Sequence, residues 1–275
     1  MKEKGVIPRP KHTQKGPKGN NYVLAISIDQ YEHAPRLSNC VRDAAAFIDI
    51  LTSKYDFEPK KEEKQLIFHL ANEQATRRNI IRKLTDLKKK VTHEDNLIIY
   101  FSGHGETEDN TGFWIPVEAH PDEEADFIST EEIKRKLGAI NSFHTFLLVD
   151  ACFSGSLFST RKSIRAGVAS KKSRWGLTAS HSREVALDGT PGENSPFAQS
   201  LLKILKGSTA DLSIHELSNA LIKEVTNDTK DKQTPVFQPL DVKGHELGQY
   251  VFYLKEDKEA QLIAEFEGDL KEGIL

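Results

Sequence analysis

The sequence predicts an α/β fold with a mainly parallel central sheet and helices on both faces. Three observations predict it. Short, nearly continuous apolar runs recur along the chain, as strands covered on both sides require. Apolar residues at helical spacing stand between those runs, and strands alternating with helices run parallel. The length, 275 residues, suits one large domain with a well-covered core better than two independent ones.

The elements follow in order. Residues 1–20 are rich in Lys, Gly and Pro with almost nothing apolar, which predicts a flexible basic leader. Residues 22–28 (YVLAISI) form the first strand, and Val41, Ala44, Ala45, Ile48 and Leu51 follow as a helix stripe. Residues 65–70 make a second strand. Thr76 then opens a helix carrying Ile80, Leu84, Leu87 and Val91. Residues 96–101 (NLIIYF) and 145–149 (TFLLV) are the third and fourth strands. Between them Ser129 and Glu132 make a capping box, as Ser213 and Glu216 do later. Residues 175–178 are a weaker strand, and Ser195-Pro196 starts a helix. Residues 250–254 close the pattern. The main domain thus spans 21–255, and 256–275 form a charged tail in which Leu262, Ile263 and Phe266 mark a short helix.

Composition excludes several classes of function. Apolar residues make up 37% and charged residues 29%, and the net charge of −3 offers no basis for binding nucleic acid. The two cysteines, Cys40 and Cys152, form neither a disulfide framework nor a Cys-x-x-Cys metal or redox motif. The basic N-terminus has no apolar stretch behind it, and no run approaches the ~18–20 residues of a membrane span. The expectation is a protein of the reducing cytoplasm, without cofactor or metal, where a reactive thiol survives.

Two strands end unusually. The run 96–101 leads into Ser102-Gly103-His104-Gly105, and the run 145–149 leads into Asp150-Ala151-Cys152-Phe153-Ser154-Gly155. In open α/β sheets ligands bind just beyond the carboxyl ends of strands. A thiolate is the reactive form of cysteine, and an adjacent imidazole takes its proton and later protonates the leaving amine. Cys152 is therefore the candidate nucleophile and His104 its general base. Gly103 and Gly105 are expected to let the backbone turn sharply and a substrate carbonyl approach. The N–H groups of Gly105 and Cys152 are candidates for an oxyanion hole. Cys40 reads as helix packing near the site, and the remaining histidines lack comparable context.

These residues carry a resemblance. Caspases have a Gln-Ala-Cys signature with the histidine about 50 residues upstream; this chain has Asp-Ala-Cys with His104 at about that separation. Ser-Gly-His-Gly together with Asp-Ala-Cys-Phe-Ser-Gly is closer still to metacaspases and their prokaryotic relatives. The strand AISI followed by Asp29, Tyr31, Leu37 and Cys40-Val41-Arg42-Asp43-Ala44 extends the similarity over about residues 22–254. The resemblance implies a caspase-like sandwich and a cysteine endopeptidase whose acidic S1 pocket, built from Asp43 and Asp150 with Ser102 beside them, takes a substrate Arg or Lys. A buried carboxylate pair makes physical sense when a cation arrives to balance it. Protein or peptide substrates with a basic P1 residue are the expected partners.

Two departures from the metacaspase pattern stand out. Where calcium-dependent members carry paired aspartates, this chain reads Ile128-Ser129-Thr130-Glu131-Glu132, and the acidic run Asp122, Glu123, Glu124, Asp126 lacks the spacing of a calcium loop. Phe153 stands where many metacaspases have His. The basic, stripe-free segment 161–174 reads as a linker that an Arg/Lys-specific enzyme would cut in itself, making the chain a zymogen. Two alternatives remain at this point: a catalytically silent caspase-like scaffold, and a CHAT-type defence protease switched on by an activating protein partner.

Overall fold

The structure is a computed structural model that describes residues 19–57, 65–109, 111–152, 157–158, 169–181, 184 and 186–255. The proposed leader up to residue 18, the tail 256–275, Phe153 to Gly155 and most of the basic segment, including Arg161, Lys162 and Arg165, lie outside the described residues. Asn20, at the end of that leader, is seated against the domain, its backbone N–H donating to Asp95 Oδ1 at 2.8 Å.

Six strands make the main sheet: β1 (Asn21–Ser27), β2 (Ile67–Ala71), β3 (Asn96–Ser102), β7 (His144–Asp150), β8 (Ser173–Thr178) and β10 (Val236–Pro239). Their order is β10-β8-β7-β3-β1-β2, with every pair parallel except the edge pair β10–β8. β1, β3, β7 and β8 are buried along their whole length, which is why β1, β3 and β7 read as apolar runs rather than alternating ones. The mostly parallel α/β sandwich is the fold expected from the sequence.

Alternate residues of each strand feed two cores. Leu97, Ile99 and Phe101 of β3 face a core completed by Ile80, Leu84 and Leu87 of α2 (Arg77–Lys90) and by Ile133 and Leu137 of α3 (Thr130–Gly138). Ile98 and Tyr100 face the opposite core with Ala44, Phe47 and Leu51 of α1 (Cys40–Lys54), Phe197, Leu201 and Leu205 of α4 (Pro196–Gly207), and Leu217, Leu221 and Val225 of α5 (Ile214–Asp228). The period of two in the sheet and of 3.6 in the helices makes this division possible.

Some elements differ from the sequence reading. A small antiparallel sheet of β4 (Gly105–Glu108), β5 (Thr111–Trp114) and β6 (Ile128–Ser129) follows the His104 turn; strands of two to four residues are too short to carry a periodic signal. The closing strand contracts to β11 (Val251–Phe252), which leaves the main sheet and pairs with β9 (Leu212–Ser213). The edge place belongs instead to β10, whose Pro239 suits an edge. Ser213 and Glu216 form the full capping box of α5. Ser129 caps α3 by accepting the Glu132 N–H, but the reciprocal half is missing: the Glu132 carboxylate is held by Arg77 at 2.8 Å. Within the acidic run, Asp126 Oδ2 accepts the backbone N–H of His120 at 3.1 Å and so closes a turn.

Candidate active site

β3 and β7 stay in register up to the pair Ser102↔Asp150. Gly103-His104 and Ala151-Cys152 therefore leave neighbouring strands at the same level, with each candidate residue two positions past the last pair. The Gly103 N–H still donates to the Asp150 carbonyl at 3.4 Å and ties the two exits together.

His104 is fixed from three sides. Its backbone N–H donates to the Tyr31 hydroxyl at 2.7 Å, and its ring packs against the Tyr31 ring with centroids 4.7 Å apart. Its Nε2 lies 2.7 Å from the carbonyl oxygen of Pro35. A carbonyl only accepts, so Nε2 carries the hydrogen, and in the neutral ring the lone pair a base needs is then on Nδ1. Pro35 is thus the histidine-orienting group that sequence reading did not offer, because a backbone carbonyl leaves no signature in residue type.

The glycine before the histidine has a different reason from the one expected. Neither Gly103 nor Gly105 adopts a positive φ. Gly103 is required because a Cβ there would stand 2.5 Å from the buried Tyr31 hydroxyl, the same oxygen that receives the His104 N–H.

Cys152 is half-buried, and its thiol donates to the carbonyl of Ala186 with an S···O distance of 3.7 Å. Burial pushes the thiol pKa up; the Ala186 bond opposes that, and the Asp150 charge adds to it. The resting group is a thiol, not a preformed thiolate.

The two acids meet at one residue. Asp43, in the first turn of α1, and Asp150, the last residue of β7, are both buried. Ser195 bridges them: its N–H donates to Asp43 Oδ2 at 3.2 Å and its hydroxyl to Asp150 Oδ2 at 2.6 Å. Asn194 Nδ2 donates to Asp43 Oδ1 at 2.6 Å. Ser195 is also the N-cap of α4, accepting the Ala198 N–H at 3.0 Å, so the helix start foreseen in Ser-Pro brings its N-terminus to the acid pair, where negative charge is favoured. Desolvation still dominates, raising Asp43 to about 6 and Asp150 to about 8, and the Asp43 charge adds to the rise of Asp150.

Ser102 and Cys40 complete the surroundings. Ser102 is buried and hydrogen-bonded to Cys40, whose own thiol burial drives well above its usual range. Asp29 holds the start of α1 in place, its carboxylate accepting the N–H groups of Cys40 at 2.8 Å and Val41 at 3.2 Å, two donors a helix end otherwise leaves unpaired. Ser195, Asn194 and the neighbouring Asp188 are the site residues that sequence reading missed; only the cap signal of Ser195 was visible. Among the described residues no cluster of three or more His, Cys, Asp or Glu is arranged to hold a metal, and no helix is long and apolar enough to cross a membrane.

Comparison with known proteins bears on the fold and the family. Metacaspase-1 of Eremothecium gossypii is 24% identical over 253 residues, covering 82% of this chain and 50% of that protein; the chain spans about half the length of the curated relative it matches. A crystal structure of a protein from Geobacter sulfurreducens superposes with a TM-score of 0.62 at 18% identity, covering 86% of this chain and 100% of that one, a likeness of fold. The Peptidase_C14 caspase-domain profile matches residues 20–243, which take in the paired strand ends, the acid pair and both candidate catalytic residues: the chain belongs to the caspase-domain family.

Proposed function

We propose that the chain is a cysteine endopeptidase that cleaves peptide bonds after Arg or Lys, with Cys152 as nucleophile and His104 as general base. The observation that carries this reading is the Ser102↔Asp150 register, which delivers His104 and Cys152 from adjoining strands beside a buried acid pair. The basic P1 side chain enters between Asp43 and Asp150, next to Ser102, and displaces the Asn194 amide that now satisfies Asp43. An Arg guanidinium engages a carboxylate through two parallel hydrogen bonds, whereas Lys arrives as a point charge.

The chemistry then follows from the proton inventory. Nδ1 of His104 takes the Cys152 proton while Nε2–H stays on Pro35. The thiolate attacks the carbonyl carbon, and the N–H groups of Gly105 and Cys152 receive the oxyanion. The imidazolium protonates the departing amine as the C–N bond breaks, leaving a thioester. Water, deprotonated by His104, releases the acid and restores the thiol.

The thiol hydrogen bond to Ala186 favours a resting form that must be switched on. Self-cleavage within the basic segment 161–174, or an activating protein partner, would supply the switch. A silent scaffold is the reading left if neither restores turnover.

The test is kcat/KM on matched peptides ending in Arg, Lys, Gln and Asp. Wild type should prefer Arg, then Lys, and reject Asp. Cys152→Ala should have no turnover, and His104→Ala should lose about 10²–10⁴-fold. Asp150→Asn removes one charge and keeps the shape, and should cost about 2–5 kcal/mol in transition-state binding of the Arg peptide. Turnover by Cys152→Ala, or a preference for the Asp peptide, rejects the reading.

A further inference from the structure

The segment from Ala186 to Ser195 holds both halves of the site in the resting chain. At one end the Ala186 carbonyl accepts the Cys152 thiol at 3.7 Å. At the other, Asn194 Nδ2 donates to Asp43 Oδ1 at 2.6 Å, and Ser195 bonds Asp43 through its N–H and Asp150 through its hydroxyl. The segment is folded on itself, so its ends belong to one body. Gly189 has a φ of +83°, and a Cβ there would stand 2.9 Å from the Asn194 carbonyl oxygen. The Glu193 N–H donates to the Thr190 carbonyl at 3.0 Å.

One buried side chain from outside latches this body. Asn39 Nδ2 donates to the Asp188 carbonyl at 2.6 Å and to the Thr190 carbonyl at 3.0 Å, and its Oδ1 accepts the Gly192 N–H at 3.1 Å. Asn39 stands at the N-cap of α1, where asparagine ordinarily bonds the helix, yet it makes no capping bond. Asp29 takes the Cys40 and Val41 N–H groups instead, and all of the Asn39 amide goes to the segment. Beside it the Ser38 N–H donates to Asp188 Oδ2 at 2.8 Å. At the thiol end, the Leu187 N–H donates to Gln233 Oε1 at 3.1 Å. The Ala186 carbonyl and the Leu187 N–H belong to one planar peptide unit, so turning that unit frees the thiol.

We propose that Ala186 to Ser195 is an autoinhibitory strap, latched by Asn39, that couples recognition of a basic side chain to release of the nucleophile. This rests on the basic-P1 reading above and adds the regulation of that site. The Asn194 amide offers Asp43 a hydrogen bond without charge. A guanidinium or ammonium offers both, and such charge-assisted bonds are roughly twice as strong. The cation therefore displaces Asn194, and the strap, moving as one body, takes the Ala186 carbonyl off Cys152. The ligand shifts the strap because it binds only where Asn194 has left. Cys152 is then free to pass its proton to His104 when the pocket is filled.

The test follows alkylation of Cys152 by iodoacetamide in the full chain, read by mass spectrometry peptide by peptide. Cys40, buried, is the internal reference: it reacts fast only if the fold is lost. Ethylguanidine should speed Cys152 alkylation on the order of ten-fold, the worth of one hydrogen bond to a charged group. Ethylurea, of the same shape without the charge, should not. Asn39→Ala should be fast without ligand and gain little from it. Gly192→Ala tests the latch from the exposed side. Its Cβ would meet only Arg42 Nη1, at 3.8 Å, so it acts through the φ of +87° and not through crowding. It too should react faster than wild type, with Cys40 still slow. Ethylguanidine that binds by calorimetry but leaves Cys152 alkylation unchanged or slower overturns this inference and leaves the basic-P1 reading standing. So does wild-type alkylation in both latch variants. A wild type that does not prefer Arg over Gln peptides overturns both.

Discussion

Tyr31 does more for the site than its place in a loop suggests. One oxygen receives the His104 N–H, and the same oxygen explains why residue 103 has no side chain. Burial holds the hydroxyl well above the ordinary phenol range, so it is neutral at any working pH. Gly103→Ala should displace the hydroxyl, loosen His104 and lower kcat. Tyr31→Phe removes the obstacle but leaves a backbone N–H without its acceptor, at a cost of about 1–3 kcal/mol. The double variant should therefore be better than the sum of the two single losses, by the coupling expected of residues in contact. Urea denaturation of the four proteins checks this; strict additivity would show that the close approach is not the reason for the glycine.

At the scale of elements, the N-termini of α4 and α5 make a natural comparison. Both begin at a serine that caps the helix. Ser213 serves its helix alone, with Glu216 closing the box. Ser195 also donates to Asp150, so its helix is joined to the acid pair. Ser213→Ala should cost about 1 kcal/mol of stability, the ordinary worth of a cap, and leave catalysis unchanged. Ser195→Ala should cost that and a further ~1–3 kcal/mol for the buried carboxyl left short of a partner. It should also weaken the preference for Arg peptides. Chemical denaturation beside peptide kinetics separates the two serines; equal effects on both readouts would deny Ser195 its bridging role.

The whole molecule carries opposed titrations. Asp43 and Asp150 are raised to about 6 and about 8 by burial, so their contribution is full below the unfolded carboxylate pKa and is lost as pH rises through those values. His144 is lowered to about 3 by burial, against its bond to the Ala169 carbonyl, with the Arg174 charge adding to the fall. Its contribution is full above the unfolded imidazole pKa and is lost as pH falls toward 3. His69, His215 and His245 shift the same way. Between the unfolded pKa values of the carboxylates and the imidazoles these slopes oppose one another. From about pH 6.5 to 8 Asp150 dominates, and stability of the empty protein should fall by up to about 1.4 kcal/mol per pH unit for the one proton involved. Urea midpoints measured across that range should decline for wild type and stay level for Asp150→Asn. A cationic pocket ligand such as benzamidine should flatten the decline. A wild-type profile that rises through the same window would contradict the burial of an empty acid pair.

The sequence by itself determined the five parallel strands of the main sheet, the helices that cover it and the two candidate catalytic residues. Buried parallel strands must be continuous apolar runs, helices must repeat near 3.6, and the site of such a sheet lies past its strand ends; all three are local rules that 22–28, 96–101 and 145–149 obey in plain view. The departures have equally physical causes. β4, β5 and β6 are too short to show a period, and Glu132 forsook its capping partner for Arg77, 55 residues away. The tertiary structure alone decided how the site is assembled. Pro35 orients the imidazole through a backbone carbonyl, Ser195 meets acids 152 and 45 residues distant, and Ala186 holds the Cys152 thiol from 34 residues on. Hydrogen bonds between groups so far apart depend on where folding brings the chain, and no spacing rule along it records them.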